Sequence, residues 1–400
     1  MTRCYVELND IELTVTDEAG AELARQPACA AWVERKLVFG DAAGRVARTL
    51  PQQFNQRYLM ALTNQPLPVA LGPAKNHADL VYHQLNGLGM DAETVLGVPG
   101  YLSNEQLGYL LSICTEAGLK VLGFVDLGLS QSLATQLPAA YGVLDVELHR
   151  MVLSRYAQNG TTRSLESCQA LDGLGVSHII EGWLAVIADE FVQRTRFDPL
   201  HAGTTEQQVY DQVTGWRQDD TVSERRVRVG ADDNVRELDV PQAMLDAKLA
   251  QRLESMDLDG VQDLAVTPRV QRVPGLVEFL KRRVGAVHVL PQDCLGAFQQ
   301  LAGVMTPDAV QRLSEAEVSA SDTAPQVARS PLPDTAAVTH LLAGHRAMPL
   351  NAFPGAIDAH TGAAIGTDVQ INGRIAPGTV LRCGDEVHIG ASRYVAIEVA

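Results

Sequence analysis

The sequence predicts an α/β protein in which mixed sheets are flanked by helices, followed by a small all-β module. A strand, a helix and a second strand follow one another between Thr94 and Asp126, which is typical of a βαβ unit in a partly parallel sheet. One long apolar stripe at helical spacing runs from Val176 to Arg194. Near the end of the chain, short β runs alternate with glycine turns, which is typical of a separate β module.

The composition indicates a soluble chain with several cores. Its 400 residues are 46% hydrophobic and 20% charged, and no apolar run is long enough to cross a bilayer. The net charge of −16 argues against a nucleic-acid partner and against attraction to anionic membranes. The opening residues "MTRCYVELND" lack the layout of a secretory signal, so we expect a cytoplasmic protein without membrane insertion. The six cysteines are scattered singly, as buried small hydrophobic residues are.

Alternating hydrophobicity, caps and glycine stops predict the elements of the first part of the chain. In order, these are the hairpin "CYVEL" and "IELTV", a second hairpin in "ACAAWVERKLVFG", a helix over 76–88, a strand over 94–100, a helix from Ser103 to Gly118, the strand "KVLGFVD" and the helix "GLSQSLATQL". Ser103 and Gln106 form a capping box at the start of their helix.

The second part is predicted in the same way. It consists of two strands in "YGVLDVELHRMVLSRY", helices over 176–194 and 205–216, the strands "RRVRVG" and "NVREL", a helix with Asp239 as N-cap and Pro241 in its first turn, the strand "VQDLAVT", the helix "PGLVEFLKRR" and a closing helix over 291–303. Residues 314–337 are rich in Ser, Ala and Pro without periodicity, which predicts a linker to the β module at 338–400.

Four segments carry a resemblance to a known family. They are "GDAA" at Gly40–Ala43 with its surroundings, "VLGVPGYLSNEQ", "AGLKVLGFVDLGLSQSLA" and "VGAVHVLPQDCLGAFQQLAG". Their order over residues 4–305 resembles the ATPase domain of the 70-kDa heat-shock chaperones, a branch of the actin-like ATPase superfamily. The resemblance implies a two-lobed actin-like fold with nucleotide in the cleft, with lobe I at 1–145 and lobe II at 146–313. It also implies that the closing helix returns towards lobe I.

The first phosphate loop of that family reads D-L-G-T-T, and the matching residues here are Glu7 to Ile11. A glycine lets backbone N–H groups approach phosphate, and a carboxylate orients water bound to magnesium. Glu7 keeps the carboxylate. Asn9 replaces the glycine, and Asp10 adds a negative charge where phosphates would lie.

The second phosphate loop of the family reads D-L-G-G-G-T, and the matching residues run from Asp145 to Arg150. Asp145 keeps the carboxylate, whereas Glu147 would repel a phosphate. We expect His149 in a solvated or packed turn, with anion binding by His149 and Arg150 as the alternative.

Three further nucleotide motifs of the family are altered. The lysine that assists phosphoryl transfer falls near Gln56 and Arg57, and the adenosine motif E-x-x-K-x-x-x-S is expected at 206–223, where no lysine occurs. The G-G-S-x-x-x-P turn has its two glycines replaced by Pro268 and Arg269. A fourth feature, the glycine turn on the phosphate side, is preserved in Gly173 and Gly175.

These replacements favour a pseudo-ATPase that acts as a non-catalytic scaffold or adaptor and needs no cofactor. The alternative is a divergent ATPase or chaperone that binds Mg-ATP or Mg-ADP, with Glu7 and Asp145 acting through magnesium-bound water and with Arg57 as the cation. A third hypothesis is a module that binds another small ligand in the same cleft.

The tail "INGRIAPGTVLRCGDEVHIGASRYVAIEV" resembles the last third of a forkhead-associated domain. That family reads phosphothreonine with a Gly-Arg pair and a Ser-x-x-His motif. In the segment "AGHRA", His345 precedes Arg346 and no Ser-x-x-His follows. We therefore expect an unidentified protein partner at 338–400 without a phosphopeptide pocket.

Overall fold

The structure, a computed structural model, divides into two compact units, Met1–Thr323 and Ala324–Ala400. It describes residues 3–216, 225–230, 234–292, 294–305, 310–318, 338–343, 346–358, 361, 363, 365–366, 369–371, 374–375, 380–381, 385–389 and 392–397. No helix in these ranges is both long and apolar enough to cross a membrane. The protein is a mixed α/β structure, as predicted.

The first half of the first unit contains ten strands and five helices in the described residues. They are β1 (Arg3–Glu7), β2 (Leu13–Asp17), β3 (Glu22–Gln26), β4 (Ala30–Val33), β5 (Lys36–Phe39), α1 (Asp41–Gly44), β6 (Phe54–Asn55), α2 (Tyr58–Ala61), β7 (Pro66–Leu71), β8 (Ala74–Asn76), α3 (His77–Gly87), β9 (Glu93–Val98), α4 (Asn104–Glu116), β10 (Lys120–Asp126) and α5 (Leu127–Leu133).

The rest of the first unit follows the same alternation of strands and helices. Its elements are β11 (Ala140–Val146), β12 (Arg150–Asn159), β13 (Thr162–Asp172), α6 (Val176–Thr195), α7 (Gly203–Gly215), β14 (Arg225–Val229), β15 (Arg236–Val240), α8 (Gln242–Leu253), β16 (Asp263–Val266), α9 (Pro268–Gln271), α10 (Leu276–Lys281), β17 (Ala286–Val289), α11 (Leu295–Gly303), β18 (Gln311–Leu313) and β19 (Glu315–Glu317).

Five strands in each of the two six-stranded sheets of this unit follow one order, and the sixth strand joins opposite edges of the two sheets. The first sheet runs β3-β2-β1-β9-β10-β18, and the second runs β19-β13-β12-β11-β16-β17. In each sheet three consecutive strands pair antiparallel, and two later strands continue the sheet in parallel from the first of the three. The two halves of the unit are therefore built on the same topology.

Helices α5 and α11 lie in a hydrophobic core that both sheets share. This core joins Tyr5 and Val95 of the first sheet to Val143 and Ala265 of the second, with Phe298 of α11 among them. Helices α3 and α4 pack on the other face of the first sheet, and α6, α8 and α10 pack on the other face of the second. Burial of helices against both faces is the usual way for parallel strands to lose their exposed apolar surface.

Local signals in the sequence place the longer helices. Ser103 and Gln106 form the predicted capping box of α4, and Gly118, with φ of 81°, follows the end of that helix. The apolar stripe of α6 is buried along its length, which confirms the predicted core face.

The short segment 311–317 contributes one strand to each of the two sheets. Strand β18 pairs in parallel with β10, and β19 pairs antiparallel with β13, with Ser314 alone between them. Arg312 of β18 donates to the carbonyl oxygens of Gly100 (2.6 Å) and Leu102 (2.8 Å). The sequence predicts a linker from 314, but its first residues form this strand. Residues 319–337 lie outside the described residues.

Other sequence predictions also differ from the structure. Asp239 is not the N-cap of α8: it lies in β15, is ion-paired with Arg226, and Pro241 holds the cap position. The closing helix α11 begins at Leu295 rather than at 291. The boundary at 145/146 falls within β11, and all of β11 belongs to the second sheet. Among the described residues of this unit, eight strands were not predicted: β3, β6, β7, β8, β13, β17, β18 and β19.

The described residues between 338 and 397 form a six-stranded sheet, and all strand pairs among them are antiparallel. Its strands are β20 (His340–Ala343), β21 (Arg346–Pro349), β22 (Val369–Ile371), β23 (Arg374–Ile375), β24 (Glu386–Ile389) and β25 (Ser392–Ile397), in the order β21-β20-β25-β24-β22-β23. Leu341, Val369 and Val387 are fully buried in its core. His345 lies outside the described residues.

Candidate functional site

Two loops, one from each sheet, are hydrogen-bonded to each other where the resemblance places phosphates. The side chain of Asn9, after β1, donates to Asp145 Oδ2 (3.2 Å) and to the carbonyl oxygen of Val146 (3.0 Å). Asp10 Oδ1 accepts the backbone N–H of Leu148, in the turn between β11 and β12, at 2.6 Å. These bonds join the two loops directly, while the second oxygen of Asp10, Oδ2, is buried and has no hydrogen-bond partner in the described part of the chain.

Arg269 lies between the two carboxylates that the loops contribute. Its Nη1 donates to Glu7 Oε2 at 2.9 Å, and its Nη2 donates to Asp145 Oδ2 at 2.9 Å. Its Nε also donates to Asp145 Oδ1 at 3.0 Å. We call Glu7, Asp145 and Arg269 the central ion triad.

Helix α9 positions Arg269 in the triad. Thr267 caps this helix through the N–H of Val270, and Pro268 occupies its first turn, where a missing N–H costs nothing. The hydroxyl of Thr267 also donates to Asp145 Oδ1 at 2.6 Å. Pro268 and Arg269 are therefore more than bulky replacements of glycine, because together with Thr267 they present a guanidinium to the two loops.

The triad holds its charges in an environment with little water. Burial by itself lowers the pKa of Arg269, but the charges and hydrogen bonds of Asp145 and Glu7 outweigh burial and leave that pKa raised. Gln131 Nε2 and Cys294 Sγ also donate to Glu7, at 3.3 and 3.4 Å. Both carboxylates thus have several donors besides solvent.

A second cluster, formed by Asp10, Glu147, Tyr101 and Arg150, lies beside the triad. Both oxygens of Glu147 lie within hydrogen-bonding distance of the Tyr101 hydroxyl, and Arg150 Nε is 3.6 Å from Glu147 Oε2. Burial raises the pKa of Asp10 to about 7. Burial, and next the charge of Asp10, raise the pKa of Glu147. These acidic groups meet in the interior and hold protons more tightly than exposed carboxyls.

His149 is packed in its turn. Its Nε2 lies 3.1 Å from the carbonyl oxygen of Gln56, and its Nδ1 lies 3.2 Å from the hydroxyl of Ser177. Burial lowers the pKa of His149 to about 4, so the ring is neutral near pH 7. A neutral ring with both nitrogens engaged does not suit the alternative of anion binding.

Gly173 and Gly175 hold the loop of His149 against the start of α6. The backbone N–H groups of Val176 and Ser177 donate to the carbonyl oxygens of Glu147 and Leu148. A Cβ on Gly175 would lie 2.3 Å from the backbone nitrogen of Arg150, and Gly173 has φ of 78°. The helix donors that would attract a phosphate are bonded to the turn instead.

Two predicted motif positions lie apart from the central ion triad. Arg57 is exposed before α2, its backbone N–H bonds to Asn55, and within the described part of the chain it forms no ion pair with Glu7 or Asp145. Glu206, from the adenosine motif, is ion-paired with Arg48 at 3.3 Å. Ser223 lies outside the described residues.

Sequence reasoning missed Tyr101, Gln131 and Thr267. A threonine directly before a proline is a cap signal, so the start of α9 was predictable from the sequence. Tyr101 and Gln131 had no such signal, because their partners Glu147 and Glu7 are distant in the chain.

Fold and site together define a mixed α/β protein with a buried ion cluster between two sheets that share the order of five strands. No protein-family model matches the chain, and the search of curated proteins also found no match.

Proposed function

We propose that the first unit is an actin-like two-lobed body, similar to the heat-shock chaperone ATPase domains, that no longer uses nucleotide. In this proposal it is a pseudo-ATPase that acts as a non-catalytic scaffold or adaptor in the cytoplasm. The β unit at 338–400 would contact a protein partner.

The repeated topology supports the actin-like part of the proposal. An actin-like fold implies two lobes with related sheets around a cleft. Five strands of each sheet in this unit share order and direction, and the sequence resemblance extends across both sheets. Glu7 is the last residue of β1 and Asp145 is the last but one of β11, and β1 and β11 are the equivalent first strands of the two sheets.

The position of Arg269 carries the proposal that nucleotide is not used. A magnesium ion and phosphates between Glu7 and Asp145 would have to displace a buried guanidinium that bonds both carboxylates. Removal of one partner from such a buried pair leaves uncompensated charge, at a cost of about 3–5 kcal/mol. The residues present therefore do not fit Mg-ATP or Mg-ADP, and we derive no hydrolytic step.

A divergent ATPase remains the alternative hypothesis. The positions of Glu7, Asp145 and Arg57, on which it depends, argue against it. Glu7 and Asp145 are both engaged by Arg269, while the exposed Arg57 would need to move to reach a phosphate between them.

Thermal unfolding with and without Mg-ATP or Mg-ADP tests the proposal. We expect no shift of the melting temperature at millimolar nucleotide, because the triad occupies the position of the phosphates. A ligand at 100 times its Kd would stabilise the fold by about 2.7 kcal/mol.

A melting shift of several degrees would contradict the proposal. So would steady ATP turnover that Asp145→Asn abolishes and the matched exposed variant Asp189→Asn leaves unchanged.

A further inference from the structure

A cavity in the first unit lies at the far end of the first sheet from Glu7. Its volume is about 630 Å³, and its walls come from the start of β1, the turn between β2 and β3, and the turn between α3 and β9. We call it the lower groove. It is separate from the central ion triad, and cavities of this size accommodate several side chains.

The floor of the lower groove is apolar and continuous with the core of the first sheet. Cys4, Val15 and Ala92 line it and are also buried members of that core. Leu88 and Met90 form one wall. Buried core residues therefore form the floor of the groove, and an apolar side chain from outside would meet apolar neighbours there.

Leu23 extends this apolar surface outward. The pairing of β2 with β3 passes from Ala24 to Glu22 and skips Leu23, which makes it the extra residue of a β-bulge. Its side chain is 56% exposed and lines the groove. Leu23 therefore adds exposed apolar surface beside the apolar floor of the groove.

The rim of the lower groove is acidic. Asp17, Glu18 and Asp91 line it, and the Asp91 side chain is 95% exposed and lies 3.7 Å from the ammonium group of the exposed Lys120. Arg3 is the basic residue of the lining, and it lies 3.6 Å from Glu93. An apolar floor with carboxylates at its mouth favours a partner that carries apolar and positively charged side chains.

We propose that the lower groove docks a segment of a partner protein that combines an apolar anchor with adjacent lysine or arginine residues. A second copy of this chain is disfavoured as occupant, because it brings a net charge of −16 to an acidic rim. The lower groove is separate from the central ion triad. The docking proposal can therefore be wrong while the proposed function is right, and the proposed function can be wrong while the docking proposal is right.

Selection of a displayed library of short random peptides against the full chain tests the proposal. We expect the selected peptides to combine leucine, isoleucine or phenylalanine with lysine or arginine. The double variant Glu18→Lys with Asp91→Lys should weaken their binding by about tenfold or more, because it reverses the charge at the rim. Leu23→Ala should also weaken binding, by about threefold or more, because it removes apolar contact area.

Matched variants separate the lower groove from general attraction to an acidic protein. Asp189→Lys with Glu254→Lys changes the net charge equally at exposed sites outside the groove, and Val289→Ala trims a side chain with similar exposure, 55%. Both should leave the binding of the selected peptides unchanged. Equal losses in the groove variants and in these controls would overturn the proposal, as would selection of acidic peptides or of none. A concentration-dependent dimer that the rim double variant dissociates would also overturn it.

Discussion

At the residue scale, Arg269 holds two carboxylates from opposite sheets in a place that water scarcely reaches. Replacement by glutamine leaves Glu7 and Asp145 facing each other without a counter-charge. We expect Arg269→Gln to lower the free energy of unfolding by about 3–5 kcal/mol. Urea unfolding measures it, with Arg228→Gln as the matched control, because Arg228 is exposed and its ion pair with Glu237 contributes at most about 1 kcal/mol.

A triple variant tests the charge explanation directly. Adding Glu7→Gln and Asp145→Asn to Arg269→Gln removes the unmatched charges, so part of the lost stability should return. A triple variant no more stable than Arg269→Gln would show that packing rather than charge accounts for the loss.

Asp10 makes stability depend on pH. Burial raises the folded pKa to about 7, whereas an unfolded aspartate titrates near 3.9. Protonated Asp10 therefore contributes to the free energy of unfolding. This contribution is fully present below about pH 4 and is lost as the pH rises through about 7. The groups that act on Asp10 are the N–H of Leu148, Arg150, Asp145 and Glu147.

We expect Asp10→Asn to reduce the dependence of stability on pH. At pH 8 the variant should unfold at a higher urea concentration than the parent chain, with a free energy of unfolding that is larger by a few kcal/mol. The amide oxygen still accepts the N–H of Leu148. Urea titrations at several pH values check it, with the exposed Asp189→Asn as the control. A stability difference that does not change between pH 5 and pH 8 would contradict the assignment.

At the scale of elements, close packing at the start of α6 makes a testable contrast between two glycines. An added Cβ at Gly175 would lie 2.3 Å from a backbone nitrogen, which cannot move away cheaply, whereas one at Gly108 inside α4 meets nothing within 4 Å. We expect Gly175→Ala to destabilise by about 2 kcal/mol or more. Gly108→Ala should stabilise by about 0.5–1 kcal/mol, since alanine favours a helix.

Thermal melting of the two variants measures the contrast. Equal melting temperatures would mean that the loop of His149 does not pack on α6 as described.

Elements with local signals were predictable from the sequence, and elements with distant partners were not. Helices α4 and α6 follow from a capping box and a regular apolar stripe. Strands β18 and β19 are three residues each, and what makes them strands is the edge of a sheet formed much earlier in the chain. Three residues carry too little periodicity to reveal that.

The candidate site shows the same division. The resemblance assigned Glu7, Asp145 and Arg269 to motifs around one site, and in the structure Arg269 contacts the side chains of the other two. The ion pairing did not follow from the resemblance, because Arg269 lies 262 positions from Glu7 and 124 from Asp145. Only the folded sheets bring these three residues together.

At the scale of the whole molecule, the two units have separate cores and should unfold separately. Leu96 lies in the first sheet and Leu341 in the β unit, and both are fully buried. We expect two calorimetric transitions. Leu96→Ala should lower one and Leu341→Ala the other, each variant losing about 2–5 kcal/mol in its own unit. A single transition that both variants lower equally would contradict this expectation.

The strand order also has a consequence for synthesis on the ribosome. The first sheet starts with β1 near residue 3 but receives its outer strand, β18, from residues 311–313. Until that segment has been translated, β10 is an open edge, and such edges invite pairing with other chains. Before residue 269 is made, Glu7 and Asp145 also have no arginine between them. The first sheet therefore cannot be completed until nearly all of the first unit has been synthesised. During this interval the nascent chain is prone to aggregation.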